Sequence, residues 1–233
     1  QVGDPEVVVS GILLTLDVTE DTLREAQLRK CNMIVSHHPL LFHGLKHITG
    51  STPAERIVAE ALRKGIAIYS AHTNLDSAFN GVSYEMAHIL GLSDLIPLEA
   101  AVDDERCGLG VVGTQPPLPA IEFMRRVKER FNVKALRYSS QSPQLVVRKV
   151  ALCGGSGASF IRKAIALGAD VIVTGDVKYH DFTSFASEIL IADIGHYESE
   201  QCSKKILSRI IRENFPDSVI YFAESDRNPV NYM

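Results

Sequence analysis

An α/β fold built from two related halves is what this 233-residue sequence predicts, and three observations carry the prediction. Short β-branched runs alternate with segments of helical periodicity. The stretch Leu13 to His37 lies without a gap over Ala151 to Gly175 at a shift of 138 residues, pairing Ile34-Val35-Ser36 with Ile172-Val173-Thr174. Unusual polar residues gather at the ends of the predicted strands, which is where open α/β sheets hold ligands.

The elements follow in order. Val7 to Val18 is rich in β-branched and leucine residues and predicts a strand. Glu20 to Lys30, with acids in its first turn, predicts a helix, and Met33 to Ser36 returns to strand, which completes a β-α-β unit. Thr52, Pro53 and Glu55 make a capping box with proline at the first helical position; Gly65 closes that helix and a strand follows at Ile66 to Ser70. Leu98 to Leu145 holds Gly-rich strand material at Gly108 to Gly113, a Pro-Pro turn and a helix over Pro119 to Phe131, and is expected to act as a connection or cover. Beyond it come a strand at Ile189 to Ile194, a helix with Cys202, Ile206, Ile210 and Ile211 at helical spacing, and a strand at Val219 to Phe222. The expected partition is a first α/β repeat at 1–97, a connecting β/α segment at 98–145 and a second repeat at 146–233.

Composition narrows the function. A content of 45% hydrophobic and 22% charged residues is that of a globular chain with a sizeable core. A net charge of −4 supplies no basic stripe, which argues against non-specific nucleic-acid binding. The four cysteines lie far apart without a Cys-x-x-Cys pair, as reduced thiols in a cytoplasm would. No run of about 18 apolar residues predicts a membrane span, and Gln1 to Glu6 do not read as a signal peptide. The lack of Met at position 1 points to a trimmed natural start.

Four strand ends carry the candidate chemistry: Asp17; Ser36-His37-His38-Pro39; Ala71-His72-Thr73-Asn74-Leu75-Asp76; and Gly195-His196-Tyr197-Glu198-Ser199-Glu200. In a turn ended by Pro39, both imidazoles of His37 and His38 can face one cavity; the plain alternative is a surface pair. Asp76 offers a carboxylate able to bridge two cations, or merely a turn residue before Asn80-Gly81. His196 and Glu200 are four apart and can meet, although acids at a helix start also suit its dipole. Two His, an Asp and a further His and Glu would suit Zn²⁺, Mn²⁺ or Fe²⁺ with positions open to water, and paired ions about 3.5–4 Å apart activate water in hydrolases. Gly154-Gly155-Ser156-Gly157-Ala158-Ser159 is either an anion-holding loop or a tight turn. Thr174-Gly175-Asp176-Val177-Lys178-Tyr179-His180 could supply an acid, a phosphate-binding Lys or a proton-transfer His. His43, His47 and His88 read as surface or core residues.

These residues together resemble the Nif-three-like family, whose bacterial members are called GTP cyclohydrolase I type 2 homologues. The motifs carrying the resemblance are Gln1-Val2-Gly3-Asp4-Pro5, Ser36-His37-His38-Pro39 with Gly44-Leu45-Lys46, and the segments 71–76, 174–180 and 195–200 quoted above. The resemblance implies a dinuclear centre with His37, His38, Asp76, His196 and Glu200 as ligands to zinc, iron or manganese. It further implies two intertwined α/β repeats with mixed sheets, His72 as an additional active-site histidine and a toroidal homohexamer. The chain looks like a short form without the PII-like insert of longer members, and it lacks the helix and Trp-Asp-Asn segment usual before Gln-Val-Gly-Asp-Pro.

Two main functions are weighed, beside the plain option of a metal-storage or structural site. The first is a metal-dependent hydrolase acting on a nucleotide or phosphoester, with His72 or Glu198 assisting proton transfer and Lys178 holding phosphate. The second is a non-catalytic, metal-stabilised ring or adaptor for a protein or nucleic-acid partner, the class suggested by the family's eukaryotic name, which derives from a transcription-factor interaction.

Overall fold

A computed structural model describes residues 1–139, 142 and 144–233; Ser140, Gln141 and Pro143, inside the predicted connecting segment, lie outside the described residues. In chain order the elements are β1 (Ile12–Thr15), α1 (Glu20–Leu28), β2 (Met33–Ser36), α2 (Pro53–Lys64), β3 (Ala67–Ser70), α3 (Thr73–Asp76), α4 (Val82–Leu90), β4 (Ser93–Ala100) and β5 (Gly108–Pro119). They continue with α5 (Ala120–Arg130), β6 (Arg137–Tyr138), β7 (Val146–Ser156), α6 (Ile161–Ala166), β8 (Val171–Gly175), α7 (Tyr179–Phe185), β9 (Leu190–Asp193), α8 (His196–Glu200), α9 (Ser203–Asn214) and β10 (Ile220–Phe222).

The chain forms two compact units. The first is Gln1–Leu75 with Ser203–Pro229, and the second is Asp76–Cys202 with Val230–Met233. Their boundaries differ from the repeat boundaries at 97/98 and 145/146, because α9 and β10 belong to the first unit, where β10 pairs with β1.

The first unit is a four-stranded parallel sheet in the order β10-β1-β2-β3, with one antiparallel bridge from Val2 to Ile68. Mixed strand direction is therefore a property of the second sheet alone. Leu13, Ile34 and Ile68 from the strands bury against Leu23 and Ala26 of α1 and Ile57 and Ala61 of α2. Local signals place both helices. Thr19 caps α1, its side chain accepting from the Thr22 amide, and Thr52 caps α2 by accepting from the Glu55 amide. Gly65 ends α2 at φ 62°, where only glycine sits without strain. The strand expected from Val7 forms only from Ile12, and Val8 is left 87% exposed.

The second unit is a six-stranded mixed sheet in the order β4-β5-β7-β8-β9-β6. The segment expected to act as a connection or cover adds strands to the sheet: β5 pairs with β7 and buries Val111 and Val112, β6 pairs with β9, and β4 pairs with β5 at the sheet's edge. Ala151, Ile172 and Ile191 pack on Ile161 and Ala164 of α6. The internal duplication is visible in the hydrogen-bond register. Ile12 pairs with Met33 across β1 and β2, and Val150 pairs with Val171 across β7 and β8, the same partners at the 138-residue shift.

Candidate metal centre

Parallel strands that end together leave their next residues at one sheet edge, and in the first unit those residues are Asp17, His37, His38 and His72. The ladder runs past the strand ends: the His37 amide donates to Thr15 O at 3.2 Å, the His38 amide to Leu16 O at 2.9 Å, and the Ala71 amide to Ser36 O at 2.9 Å. Ser36 Oγ donates to His38 O at 2.8 Å, which tightens the His-His turn. His37, His38 and His72 each offer a ring nitrogen, and these atoms lie within 4.8 Å of one another.

Each of the two adjacent rings is oriented through Nδ1. His37 is fully buried and its Nδ1 lies 2.8 Å from Ala71 O, an acceptor only, so Nδ1 carries the hydrogen and Nε2 the lone pair. His38 Nδ1 lies 2.8 Å from Asp17 Oδ1, with the same consequence. A lone-pair Nε2 backed by an Nδ1–H···O bond is the arrangement of a metal-ligating imidazole.

In the second unit the strand ends carry Gly155, Gly175-Asp176 and Gly195-His196. His196 Nε2 lies 2.9 Å from Glu200 Oε2, one helical turn on, and its Nδ1 lies 2.7 Å from Asp176 Oδ2. The Glu200 hydrogen bond, aided by Asp176 and opposed by burial, pushes His196 up to about 9. A cation between these two groups would take the place of the Nε2 proton. The charges of Asp76 and Glu200 reach Cys153 as well: burial first, then these two carboxylates, push its thiol up to about 12.

Gly155 is shaped by this set. It sits at φ 61°, and a Cβ there would collide with Glu200 Oε1 and stand 3.2 Å from His196 Cε1. The space a side chain would fill is therefore occupied by the Glu200 carboxylate. Its amide donates to Ser199 Oγ at 2.9 Å, and the Gly157 amide donates to Thr174 Oγ1 at 2.9 Å. At Gly155 and Gly157 the glycine-rich segment is therefore a close-packed turn whose amides are taken by hydroxyls rather than held open for an anion. Nearby, buried Asp193 accepts from the Val177 amide at 2.9 Å and the Gly195 amide at 2.9 Å, and pairs with Arg137 of β6. It thereby holds the two turns that present Asp176 and His196.

Three other predicted residues, Glu198, Lys178 and His180, fall outside these clusters. Glu198 is buried, its Oε2 turned to the Gly195 backbone beside Tyr232. Lys178 is exposed just ahead of α7, its amide donating to Asp181 Oδ2 at 3.2 Å. His180 is exposed against Tyr179. Asp76 ends α3 and opens the second unit.

A family model described as Duf34/NIF3 (NGG1p interacting factor 3) matches residues 1–229. The chain belongs to the DUF34/NIF3 family. A Clostridium perfringens protein called "GTP cyclohydrolase 1 type 2 homolog" is 34% identical over 100% of this chain and 89% of its own length. A Drosophila melanogaster protein called "NIF3-like protein 1" is 29% identical over 97% of this chain and 77% of its own. The fold matches a crystal structure of a hypothetical protein from Staphylococcus aureus with a TM-score of 0.90 and 24% identity, covering 100% of this chain and 90% of that one. This DUF34/NIF3 chain carries groups of His and Glu able to hold a metal ion. Among its described residues, no helix is long and apolar enough to cross a membrane.

Sequence reasoning placed Asp17 and Asp176 at strand ends without pairing them to histidines, and it overlooked Ser199 and Asp193. The duplication held a usable signal: at the 138-residue shift His38 falls on Asp176 and Asp17 on Gly155.

Proposed function

We propose that this chain is a metal-dependent hydrolase of a nucleotide or phosphoester that holds two divalent ions, zinc, iron or manganese, on His37, His38, Asp76, His196 and Glu200. The observation that carries the reading is the orientation of His37 and His38, whose Nδ1 atoms are held by Ala71 O and Asp17 so that Nε2 is the donor. The cleared space at Gly155, filled by Glu200 Oε1, supports it from the second unit. Imidazole and carboxylate donors suit these first-row ions. Such ions, when bound, supply an acidic water, its pKa brought from 15.7 to about 7.

The chain's own residues then have distinct tasks. His37 and His38 bind through Nε2, and Asp17 and Ala71 O keep their rings in that tautomer. A ring nitrogen of His72 is the proposed proton carrier, and Lys178 the proposed phosphate contact. The names of relatives make GTP the first nucleotide to test, and a homohexameric ring, read by light scattering, is part of the same proposal.

The test has two steps. Metal content by mass spectrometry on protein purified without chelator is expected at about two ions per chain, falling to one or none in Asp76→Ala. His72→Ala is then expected to keep its metal and lose about 10²–10⁴-fold in nucleotide hydrolysis, the range for one general acid or base. Metal-loaded wild-type protein that hydrolyses no nucleotide or phosphoester would point instead to the adaptor reading.

A further inference from the structure

We infer that Phe42 is a base-stacking residue, its exposed ring taking the nucleobase of a nucleotide whose remainder is directed to the neighbouring histidines. The inference rests on the nucleotide reading above and names a residue that would recognise the base. The imidazoles of His37, His38 and His72 gather with ring centroids 5.1, 5.4 and 5.5 Å apart. The Phe42 ring stands next in this array, 6.3 Å from His72 and inclined at 71° to it, and His43 meets it at 5.1 Å and 89°. Both contacts are edge-on, so neither imidazole lies parallel to the phenyl ring, and Phe42 is 70% exposed. A flat aromatic surface is thus left open at the rim of the histidine cluster.

A single exposed phenylalanine carries no meaning by itself. Here the backbone around it is tied down. Leu40 packs on the core of the first unit, and the Leu41 amide donates to Gln1 Oε1 at 3.0 Å. At the far end of the same irregular segment, buried Glu55 accepts from the amides of Thr49 at 2.9 Å and Ser51 at 3.1 Å. Leu40 and Leu41 are partly buried, and one residue on the ring of Phe42 is turned out. Tyr179 is as exposed, at 74%, but it meets His180, which belongs to none of the groups able to hold a metal ion. At Phe42, exposure coincides with contact to a histidine of such a group. Every nucleobase has a π-face and a phosphate has none, so an aromatic plane beside imidazoles selects the base half of a nucleotide.

The chain contains no tryptophan, so Phe42→Trp adds a single fluorescent reporter at this position. On the metal-loaded full chain, GTP is expected to quench its emission, whereas inorganic triphosphate, which has the charge but no base, should leave it unchanged. By equilibrium dialysis Phe42→Ala should bind GTP about 5- to 150-fold more weakly, the range for loss of one base–aromatic stack, with metal content unchanged. Phe42→Tyr should restore the affinity. Wild-type hydrolysis of GTP together with unquenched emission, or with full affinity in Phe42→Ala, would overturn the inference and leave the hydrolase reading standing; so would hydrolysis confined to base-free phosphoesters. Quenching by GTP in protein that hydrolyses no nucleotide or phosphoester would uphold the stacking and sink the hydrolase reading. Equal quenching by triphosphate would assign the signal to charge at the histidines and overturn the inference. A change of oligomeric state in Phe42→Ala by light scattering, with the Phe42→Trp emission unmoved by GTP, would make the ring a contact between copies and overturn it likewise.

Discussion

Immediately after β2 in the first unit stands His37, and at the corresponding place in the second unit stands Gly175. The difference is enforced by packing. A Cβ on Gly175 would lie 2.8 Å from both the Gly195 carbonyl carbon and the His196 amide nitrogen, so no histidine fits, whereas His37 is accommodated fully buried with Ala71 O as its partner. The second unit obtains its imidazole one strand later, at His196, and its carboxylate, Glu200, fills the space over Gly155, the counterpart of Asp17. One repeat therefore yields three imidazoles and the other a histidine with acids. Duplication supplied strand ends in the same register, and close backbone approach decided which of them carry side chains.

The sharpest way to break this comparison is Gly155→Ala. The new methyl would stand where Glu200 Oε1 lies and would impose a left-handed backbone on alanine, a strain of about 1 kcal/mol or more. Metal content is expected to fall by at least one ion per chain with the His37, His38 and His72 trio intact, as read by mass spectrometry and by unchanged imidazole resonances of those three rings. Retention of both ions would show that Glu200 is not a ligand.

How much of this was legible beforehand depended on whether the signal was local. The caps of α2 at Thr52 and Gly65, the strand Met33–Ser36 and the 138-residue shift were readable because each depends on neighbouring residues or on direct comparison. The family resemblance was carried by the same strand-end motifs. The exchange of α9 and β10 into the first unit was not legible, since periodicity announces a strand but not its partner. Gly154 to Ser159 could not be assigned between an anion loop and a tight turn, because the hydroxyls that take the Gly155 and Gly157 amides, Ser199 and Thr174, lie far along the chain. Glu198, expected to assist proton transfer, and Glu200, expected as a ligand, are two positions and so about 200° apart on a helix, and only Glu200 shares the face of His196.

The two units should also fail at opposite ends of the pH scale. In the first, Glu25 binds the chain after β10 onto α1. Burial pushes this carboxyl up, but the Ser225 hydroxyl and amide, the Glu224 amide and Arg29 outweigh it and hold it at about 2 against an ordinary 4.5. A depressed folded value means stability that is present above about 4.5 and lost as pH falls toward 2. The loss should reach about 2–3 kcal/mol. Hydrogen exchange at acid pH is expected to rise first in α1 and β10, and Glu25→Gln should remove most of the pH dependence there. Equal acid sensitivity in β7 and β8 would erase the contrast between the units.

The smallest effect belongs to the second unit and runs the other way. In metal-free protein His196 is raised to about 9 by Glu200 and Asp176, so its charge contributes stability that is complete below about 6.5 and is lost as pH climbs through 9. The ring is 37% exposed, and solvent screening keeps the change in melting temperature to a degree or two. It should vanish in His196→Gln. The same proton must leave before a cation can use Nε2, so Zn²⁺ uptake near pH 7 should release protons from the wild type. Calorimetry in buffers of different ionisation enthalpy measures that release, and none in excess of the His196→Gln variant would mean that His196 does not bind through the nitrogen facing Glu200.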